Sequence, residues 1–296
     1  MRGVKVIAVL LVVCLCFCGC SARKNLKDLS VAEGLGIDNA EQGKRVTVQT
    51  LNLAKAGNGT AAQLLDCGQN DALVPAQAVA ELLKNGQNSG FSLYVSVNEM
   101  LNLYKDKTSD ICLPVITAGD ESSRTSGIAI FSESRLAGVL SGDETVGLLF
   151  LKDKVKSGYM ELESEKYGNI GVRIIGASSK TKAFAQGETV HFKVGVKLFF
   201  SIDEIENGTK ESLSDAELAE IGKEVENAVR RDCEKAFYAC TKNRSDCLRV
   251  GENLAKYDPA AYEKMSDDWE KYLKNAVLDF DCSGRLKKMN ENSNGK

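Results

Sequence analysis

The sequence predicts an α+β fold in which an antiparallel-rich sheet packs against one long helix. Three observations carry this prediction. Residues 189–202 alternate apolar and polar side chains, residues 214–240 repeat apolar side chains at helical spacing, and residues 276–282 return to a strand pattern. Strands followed by one dominant amphipathic helix and a return strand are typical of α+β proteins rather than of repeated βαβ units.

The segment Thr189–Ile202 has the clearest strand pattern in the chain. Its alternation predicts one buried face and one wet face, as in an antiparallel sheet that is covered on one side. The predicted buried side chains are Val190, Phe192, Val194, Val196, Leu198 and Phe200.

The long helix follows an Asn207-Gly208 turn. Ser214 is its predicted N-cap, and Glu217 completes a capping box. We expect its apolar stripe to pack on the buried face of the strand at residues 189–202. The stripe consists of Leu218, Ile221, Val225, Val229, Cys233, Ala236, Phe237 and Cys240.

Shorter elements are predicted along the rest of the chain. They are two strands around a turn at Asn39–Lys44, a helix at Pro75–Lys84, an edge strand at Ile111–Ile116, a hairpin from Gly127 to Leu140, a helix at Ser141–Leu149, strands at Tyr167–Gly176 and Ser178–Phe184, and helical segments after Asp246 and Pro259.

The polar stretch Gly119–Gly127 is the predicted domain boundary, because small and turn-forming residues dominate it. It would separate a shortened N-terminal α+β domain, residues 20–119, from a C-terminal α+β domain, residues 127–286. A polar tail at residues 287–296 would follow.

The first residues have the layout of an export signal. A basic start is followed by the apolar run Val6–Phe17 and by Gly19-Cys20. This layout predicts a lipoprotein signal peptide over residues 1–19, with a diacylglycerol on Cys20 and a lipid-tethered ectodomain beyond it. A membrane-spanning helix would need about 20 apolar residues, more than this run supplies. A cleaved signal with a secreted product is the remaining alternative.

Six cysteines follow the predicted lipid site. Disulfides are permitted outside the cytoplasm, but the sequence does not choose among the possible pairings. Without a CxxC motif, structural zinc is not favoured. Buried thiols or a disulfide are favoured over chemistry. The six are Cys67, Cys112, Cys233, Cys240, Cys247 and Cys282.

The residues that could carry catalysis are sparse. His191 is the only histidine, and it lies on the polar face of a predicted strand, where a solvated side chain is expected. No nucleophile elbow or phosphate-binding loop is present. The remaining carboxylate candidates, which fit a solvated strand face and a helix start better than an acid–base pair, are Glu161, Glu163, Glu165, Asp143 and Glu144. The sequence therefore predicts no enzyme, no cofactor and no metal site.

The net charge of −3 and the lack of a basic stripe with interleaved aromatic residues argue against a nucleic-acid partner.

Three stretches, in this order, resemble the Ger(x)C family, the C-subunit lipoproteins of nutrient germinant receptors in spore-forming bacteria. The first stretch matches at Cys20, Arg23, Leu26, Asp28, Leu29, Gly34, Leu35, Gly36, Ile37 and Asp38, and continues through Val46-Thr47-Val48-Gln49. The second matches at Gly127, Ala129, Ile130, Phe131, Arg135, Leu136, Gly138, Leu140, Glu144 and Gly147. The third matches at Asp246, Leu248, Gly251, Pro259 and Trp269. The segment between Leu53 and Pro75 is shorter than the family pattern.

The resemblance implies a non-enzymatic subunit on the outer leaflet of the inner membrane of the spore. It would be tethered through Cys20 beside the integral-membrane A and B subunits and would act with them in sensing nutrients. A lipoprotein that binds a small solute for an uptake system is the main alternative, although such proteins use two lobes of repeated βαβ units. An envelope hydrolase is disfavoured by the missing motifs.

Overall fold

The computed structural model describes residues 30–39, 44–52, 83, 92–96, 99–100, 102–103, 108–118, 123–133, 135–208 and 213–287. The chain forms two compact units, Met1–Gln77 and Ala78–Lys296. Cys20, Cys67 and most of the predicted helix at Pro75–Lys84 lie outside the described residues.

The first unit contains a β-hairpin. Strands β1 (Ser30–Asn39) and β2 (Lys44–Asn52) pair antiparallel, with Leu35 opposite Val48. A register shift lies between Ala32 and Gly34. The two predicted strands on either side of residues 40–43 are confirmed.

The second unit contains two sheets and several helices. The three-stranded sheet has the order β3-β4-β5 and the four-stranded sheet the order β6-β7-β8-β9. The strands are β3 (Cys112–Ala118), β4 (Ser123–Ser132), β5 (Arg135–Leu140), β6 (Gly158–Ser164), β7 (Gly168–Gln186), β8 (Thr189–Ile205) and β9 (Val277–Leu286). The helices are α1 (Asp143–Leu151), α2 (Asp215–Lys242), α3 (Val250–Tyr257), α4 (Pro259–Met265) and α5 (Trp269–Lys274), with a 3₁₀ turn at Ser266–Asp268.

Strand pairing crosses the stretch that the sequence predicted as a domain boundary. β3 pairs with β4, so that Cys112 lies opposite Ile130 and Ala118 opposite Ser123. Contacts divide the chain between Gln77 and Ala78. β3 ends at Ala118 and β4 begins at Ser123, so both strands reach into this stretch.

The four-stranded sheet confirms the antiparallel-rich α+β prediction. β6, β7 and β8 pair antiparallel, and only β9 joins parallel to its neighbour, with Val194 opposite Phe280. The two strands predicted between Tyr167 and Phe184 are one long strand, β7. Register shifts beside Gly171 and Gly176 bend it without ending it.

Helix α2 covers one face of this sheet, as predicted. The Ser214 Oγ accepts a hydrogen bond from the Glu217 backbone N–H, and the Glu217 carboxylate accepts one from the Ser214 N–H. The apolar stripe of the helix is buried from Ile221 onward, while Leu218 is partly buried. Val225 is fully inaccessible, and the Phe237 ring stacks on Phe192 with centroids 6.0 Å apart. The six β8 side chains that the alternation predicted to be buried are buried, and Ser201 and Ile202 are buried after them.

Helix α1 crosses α2 at a glycine. A Cβ atom at Gly147 would lie 1.9 Å from the Asp232 carbonyl oxygen, so only glycine permits this approach. The contact places α1 and its first-turn acids, Asp143 and Glu144, beside the long helix.

Within the described part of the chain, no helix is long and apolar enough to cross a membrane.

Candidate interaction surface

The face of the four-stranded sheet that points away from α2 is exposed. We call it the open face and define it by seven residues of β6, β7 and β8. It has a basic middle and an apolar end. The residues are Lys180, Lys182, Lys193, Lys197, Phe199, Ile175 and Tyr159.

The basic middle of the open face contains a pair of like charges. Lys182 on β7 lies directly opposite Lys193 on β8, and Lys180 and Lys197 lie two to four residues further along the same two strands. Like charges directly opposite each other destabilise a sheet. The Lys182 ammonium lies 5.4 Å from the Tyr257 ring centroid, which offsets part of its charge.

The other three lysines lack such compensation. Among the described residues, no carboxylate forms an ion pair with Lys180, Lys193 or Lys197. The protein as a whole has a net charge of −3. The open face therefore gathers four lysines in its middle, while Glu161 and Glu163 of β6 and Asp279 and Asp281 of β9 lie on the same side of the sheet. An acidic partner surface would relieve the repulsion among the lysines.

The apolar end of the open face exposes three large side chains. Phe199 is 40% exposed, Ile175 42% and Tyr159 44%. The Lys287 ammonium lies 5.4 Å from the Phe199 ring centroid. Aromatic side chains beside basic ones are typical of interface residues, because each presents an apolar body with a polar or charged rim.

Acidic residues border the open face. Asp279 and Asp281 on β9 lie in register with Lys193 and Gly195. At the apolar end, Asp203 pairs with Arg173 at 2.5 Å.

Tyr159 is also held in place at the apolar end. Its hydroxyl donates to Glu204 at 2.6 Å, and this hydrogen bond raises the pKa of Tyr159 to about 12. The ring is thereby fixed at the border of the face.

His191 lies on the same side of the sheet, beside the basic middle. Its Nδ1 lies 3.1 Å from the Asp279 carboxylate, and its ring stacks on Phe184 with centroids 5.3 Å apart. The side chain is 19% exposed. The partly buried pair fastens β9 to β8, which is a structural role and differs from the solvated side chain that we expected.

The carboxylate candidates are dispersed. Glu161 and Glu163 are exposed on β6, and Asp143 pairs with Lys235 of α2 at 2.6 Å. Among the described residues, no group of three or more His, Cys, Asp or Glu side chains is arranged to hold a metal ion.

A buried carboxylate organises the segment that follows α2. The Asp246 carboxylate accepts hydrogen bonds from the backbone N–H of Val250 at 2.7 Å and of Gly251 at 2.8 Å, and from the Trp269 Nε1–H at 3.0 Å. These three donors and Asp246 form what we call the Asp246 cluster. It caps α3 at its N-terminus, where the Arg249 side chain makes no capping bond.

Asp110, which lies just before β3 of the three-stranded sheet, connects the Asp246 cluster to that sheet. The Asp246 backbone N–H donates to the Asp110 carboxylate at 2.7 Å, and the Asp110 N–H donates to the Asp246 carbonyl at 3.2 Å. Burial raises the pKa of Asp246 to about 7, against the opposing effect of its three donors.

Five of the six predicted ectodomain cysteines are described, and all five are free thiols: Cys112, Cys233, Cys240, Cys247 and Cys282.

The comparisons with known proteins agree on one class, the spore germination proteins. Residues 126–289 match the family model described as "Spore germination B3/ GerAC like, C-terminal". This match spans more than half of the chain, and the chain therefore belongs to that family.

A solved structure, described as "Crystal Structure of the GerBC protein", has the same fold. The superposition has a TM-score of 0.60 at 14% sequence identity and covers 89% of this chain and 100% of the other. No curated protein sequence matches the chain. The resemblance to the Ger(x)C family and the α+β fold class are confirmed.

The open face was not predicted from the sequence. The alternation of β8 indicated that Lys193 and Lys197 are solvated, but the like-charge pair depends on the β7–β8 register. That register is set by the two-residue turn at Gly187-Glu188, which places Gln186 opposite Thr189 and in which Gly187 has a positive φ of 64°. The sequence prediction did not join the two strands through this turn.

Proposed function

We propose that this protein is the lipid-anchored C-subunit of a nutrient germinant receptor and that it acts by docking rather than by catalysis. Family membership carries the proposal. In it, residues 1–19 are a signal peptide and Cys20 carries the lipid, so the protein is held at the outer leaflet of the inner membrane of the spore.

The partners in this proposal are the integral-membrane A and B subunits. A surface that docks on them needs exposed apolar area and unsatisfied charge. The open face supplies both, because it combines the Phe199, Ile175 and Tyr159 side chains with lysines that lack acidic partners among the described residues. We therefore assign the open face to an acidic surface of these subunits.

A non-enzymatic role is consistent with where the candidate residues lie. His191 is committed to Asp279 and Phe184, and Asp143 is paired with Lys235. Each of these contacts has a structural purpose in the fold.

The experiment is recovery of partners from spore membranes with a tagged chain. The A and B subunits should co-purify with the wild-type protein in mild detergent. A variant with Lys180, Lys193 and Lys197 changed to Gln should recover them about tenfold less, because the charge complementarity is lost.

A matched control removes the same charge elsewhere. Lys223, Lys264 and Lys274 are exposed on the helices, and their change to Gln should leave recovery as in the wild type. Equal melting temperatures of both triple variants would show that the fold is intact. If the wild-type chain recovers neither subunit, the proposed function is wrong; if both triple variants recover them alike, the open face is not the docking surface.

A further inference from the structure

Three thiols converge where the chain turns back at the end of α2. The Cys240 and Cys247 sulfurs lie 3.6 Å apart, and the neighbouring Cys247 thiol is the main cause of the raised pKa of Cys112 on β3. All three side chains are buried, with at most 1% of their surface exposed. Nothing in the open face or the Asp246 cluster requires thiols at these positions.

The backbone prearranges this pair of cysteines. The Ser245 N–H donates to the Cys240 carbonyl at 3.0 Å and the Arg244 N–H to the Thr241 carbonyl at 3.0 Å, while Arg244 has a positive φ of 55°. This is the Schellman pattern at a helix C-terminus. It reverses the chain so that Cys247 returns against the last turns of α2.

We propose that Cys240 and Cys247 form a disulfide in the exported protein, an inference that rests on the proposed location outside the cytoplasm. A disulfide requires its sulfurs at about 2.05 Å, so the two thiols must approach by about 1.5 Å from their present contact. Rotation of the two cysteine side chains, whose sulfurs already face each other, would bring them together. Exported proteins also have the oxidising surroundings that the bond needs.

The chemistry is thiol–disulfide exchange with an external disulfide as oxidant. The Cys247 thiolate attacks that disulfide, forms a mixed disulfide and releases one thiolate; the Cys240 thiolate then attacks the Cys247 sulfur and releases the second. Two electrons pass from the cysteines to the oxidant, and the two cysteine protons go to the released thiolates. Cys112 keeps its thiol.

The disulfide forms while the chain is folding, before its cysteines are buried. The pKa of Cys112 lies well above its ordinary value, because its thiol is hydrogen-bonded to Cys247 and because burial disfavours a thiolate. The Lys152 ammonium, which donates to the Cys247 carbonyl, works in the opposite direction. An external oxidant reaches these sulfurs only before β3 closes over them.

The bridge would fix the Asp246 cluster to α2. Cys247 directly follows Asp246, so a bond to Cys240 ties the cap of α3 to the end of the long helix. Breaking it should lower the melting temperature by about 5 °C, since the closed loop is short.

The test is peptide mapping of the full chain extracted from membranes. Free thiols are alkylated under denaturing conditions without reductant, and the chain is cut with trypsin. Cleavage after Lys235, Lys242, Arg244 and Arg249 separates the two cysteines. We expect residues 236–242 and 245–249 to appear as one linked pair, while Cys112 carries the alkyl group.

Two variants complete the experiment. Cys112→Ser should keep the linked pair, and reductant should no longer shift the melting temperature of Cys240→Ser/Cys247→Ser. Alkylation of all three cysteines without reduction, or a bridge that joins Cys112 instead, overturns the inference. If a lipid-bearing, membrane-bound chain has all thiols free, this inference fails and the proposed function stands; an unprocessed chain in the soluble fraction counts against both.

Discussion

Asp246 is the residue on which the C-terminal segment depends most. Its carboxylate accepts hydrogen bonds from two buried helical N–H groups and from the partly buried Trp269 indole. Gly251 lies against it so closely that a Cβ would be 3.0 Å from the carboxylate and 3.1 Å from the Trp269 ring. The family-like spacing of Asp246, Gly251 and Trp269 is therefore the signature of one hydrogen-bonded structure.

Replacing Asp246 by Ala should destabilise the protein severely. Two buried backbone donors and the partly buried Trp269 indole would lose their acceptor, at about 1–3 kcal/mol each, so we expect a loss of about 4 kcal/mol in the free energy of unfolding. Urea denaturation measures this directly. Asp267→Ala, which removes an exposed carboxylate from the same region, is the control and should change it by less than about 0.5 kcal/mol. Equal losses in the two variants would contradict the role of the Asp246 cluster.

Asp232 makes stability depend on pH. Burial, followed by the nearby Asp143 charge, raises its pKa to about 6. A raised carboxyl pKa means that the folded state holds its proton more tightly than the unfolded chain does. The stability gained from this proton is present in full below the pKa of the unfolded chain, about 4, and is lost as the pH rises through about 6.

The Asp232→Asn variant tests this dependence. It should gain up to about 2 kcal/mol over the wild type at pH 8 and about nothing at pH 4, because only the ionised aspartate costs energy. Thermal melts across this range measure the difference. A gain that stays constant from pH 4 to pH 8 would show that ionisation of Asp232 is not the cause.

The sequence alone identified the motif residues but not the residues that contact them. Asp246, Gly251 and Trp269 were singled out by resemblance, and the structure supplies the reason for each. Asp110 was not found, since it pairs with Asp246 across 136 positions of sequence and no local pattern marks such a contact.

At the scale of elements, α2 and β8 are the parts that the sequence determines best. Both have long, uninterrupted periodicity, and the helix begins with a capping box, so local preference and burial agree. The sequence predicted two strands where the structure has the single strand β7, because Gly176 interrupts the strand pattern. The structure continues the strand through that point by a bulge, which pairing with β8 stabilises.

The packing of α2 on the sheet is tested by Val225→Asp. Val225 is fully inaccessible, and a carboxylate there would be buried without a partner, so we expect a loss of more than about 4 kcal/mol or failure to fold. Asn227→Asp introduces the same residue at an exposed position two residues further on and should be nearly neutral. If the melting temperature of Val225→Asp equals that of the wild type, the stripe does not face the sheet.

At the scale of the whole molecule, the four-stranded sheet has one covered and one open side. The covered side builds the core with α2, and the open side carries basic and aromatic side chains that this core does not need. Periodicity predicted that one side would be wet. It did not predict which charges would meet there, because that depends on strand register and on the order of strands that are distant in sequence.

We propose that a lipid on Cys20 holds this docking subunit at the membrane, where it meets the other receptor subunits. Two fatty chains on one cysteine anchor a protein durably, whereas one chain binds only marginally. The direct measurement is incorporation of a labelled fatty acid into the wild-type chain and into Cys20→Ala, together with their division between membrane and soluble fractions. We expect label and membrane association for the wild type. For the variant we expect no label and either release from the membrane or an unprocessed precursor. Label that persists in Cys20→Ala, or an unlabelled wild-type chain that diffuses freely, would contradict it.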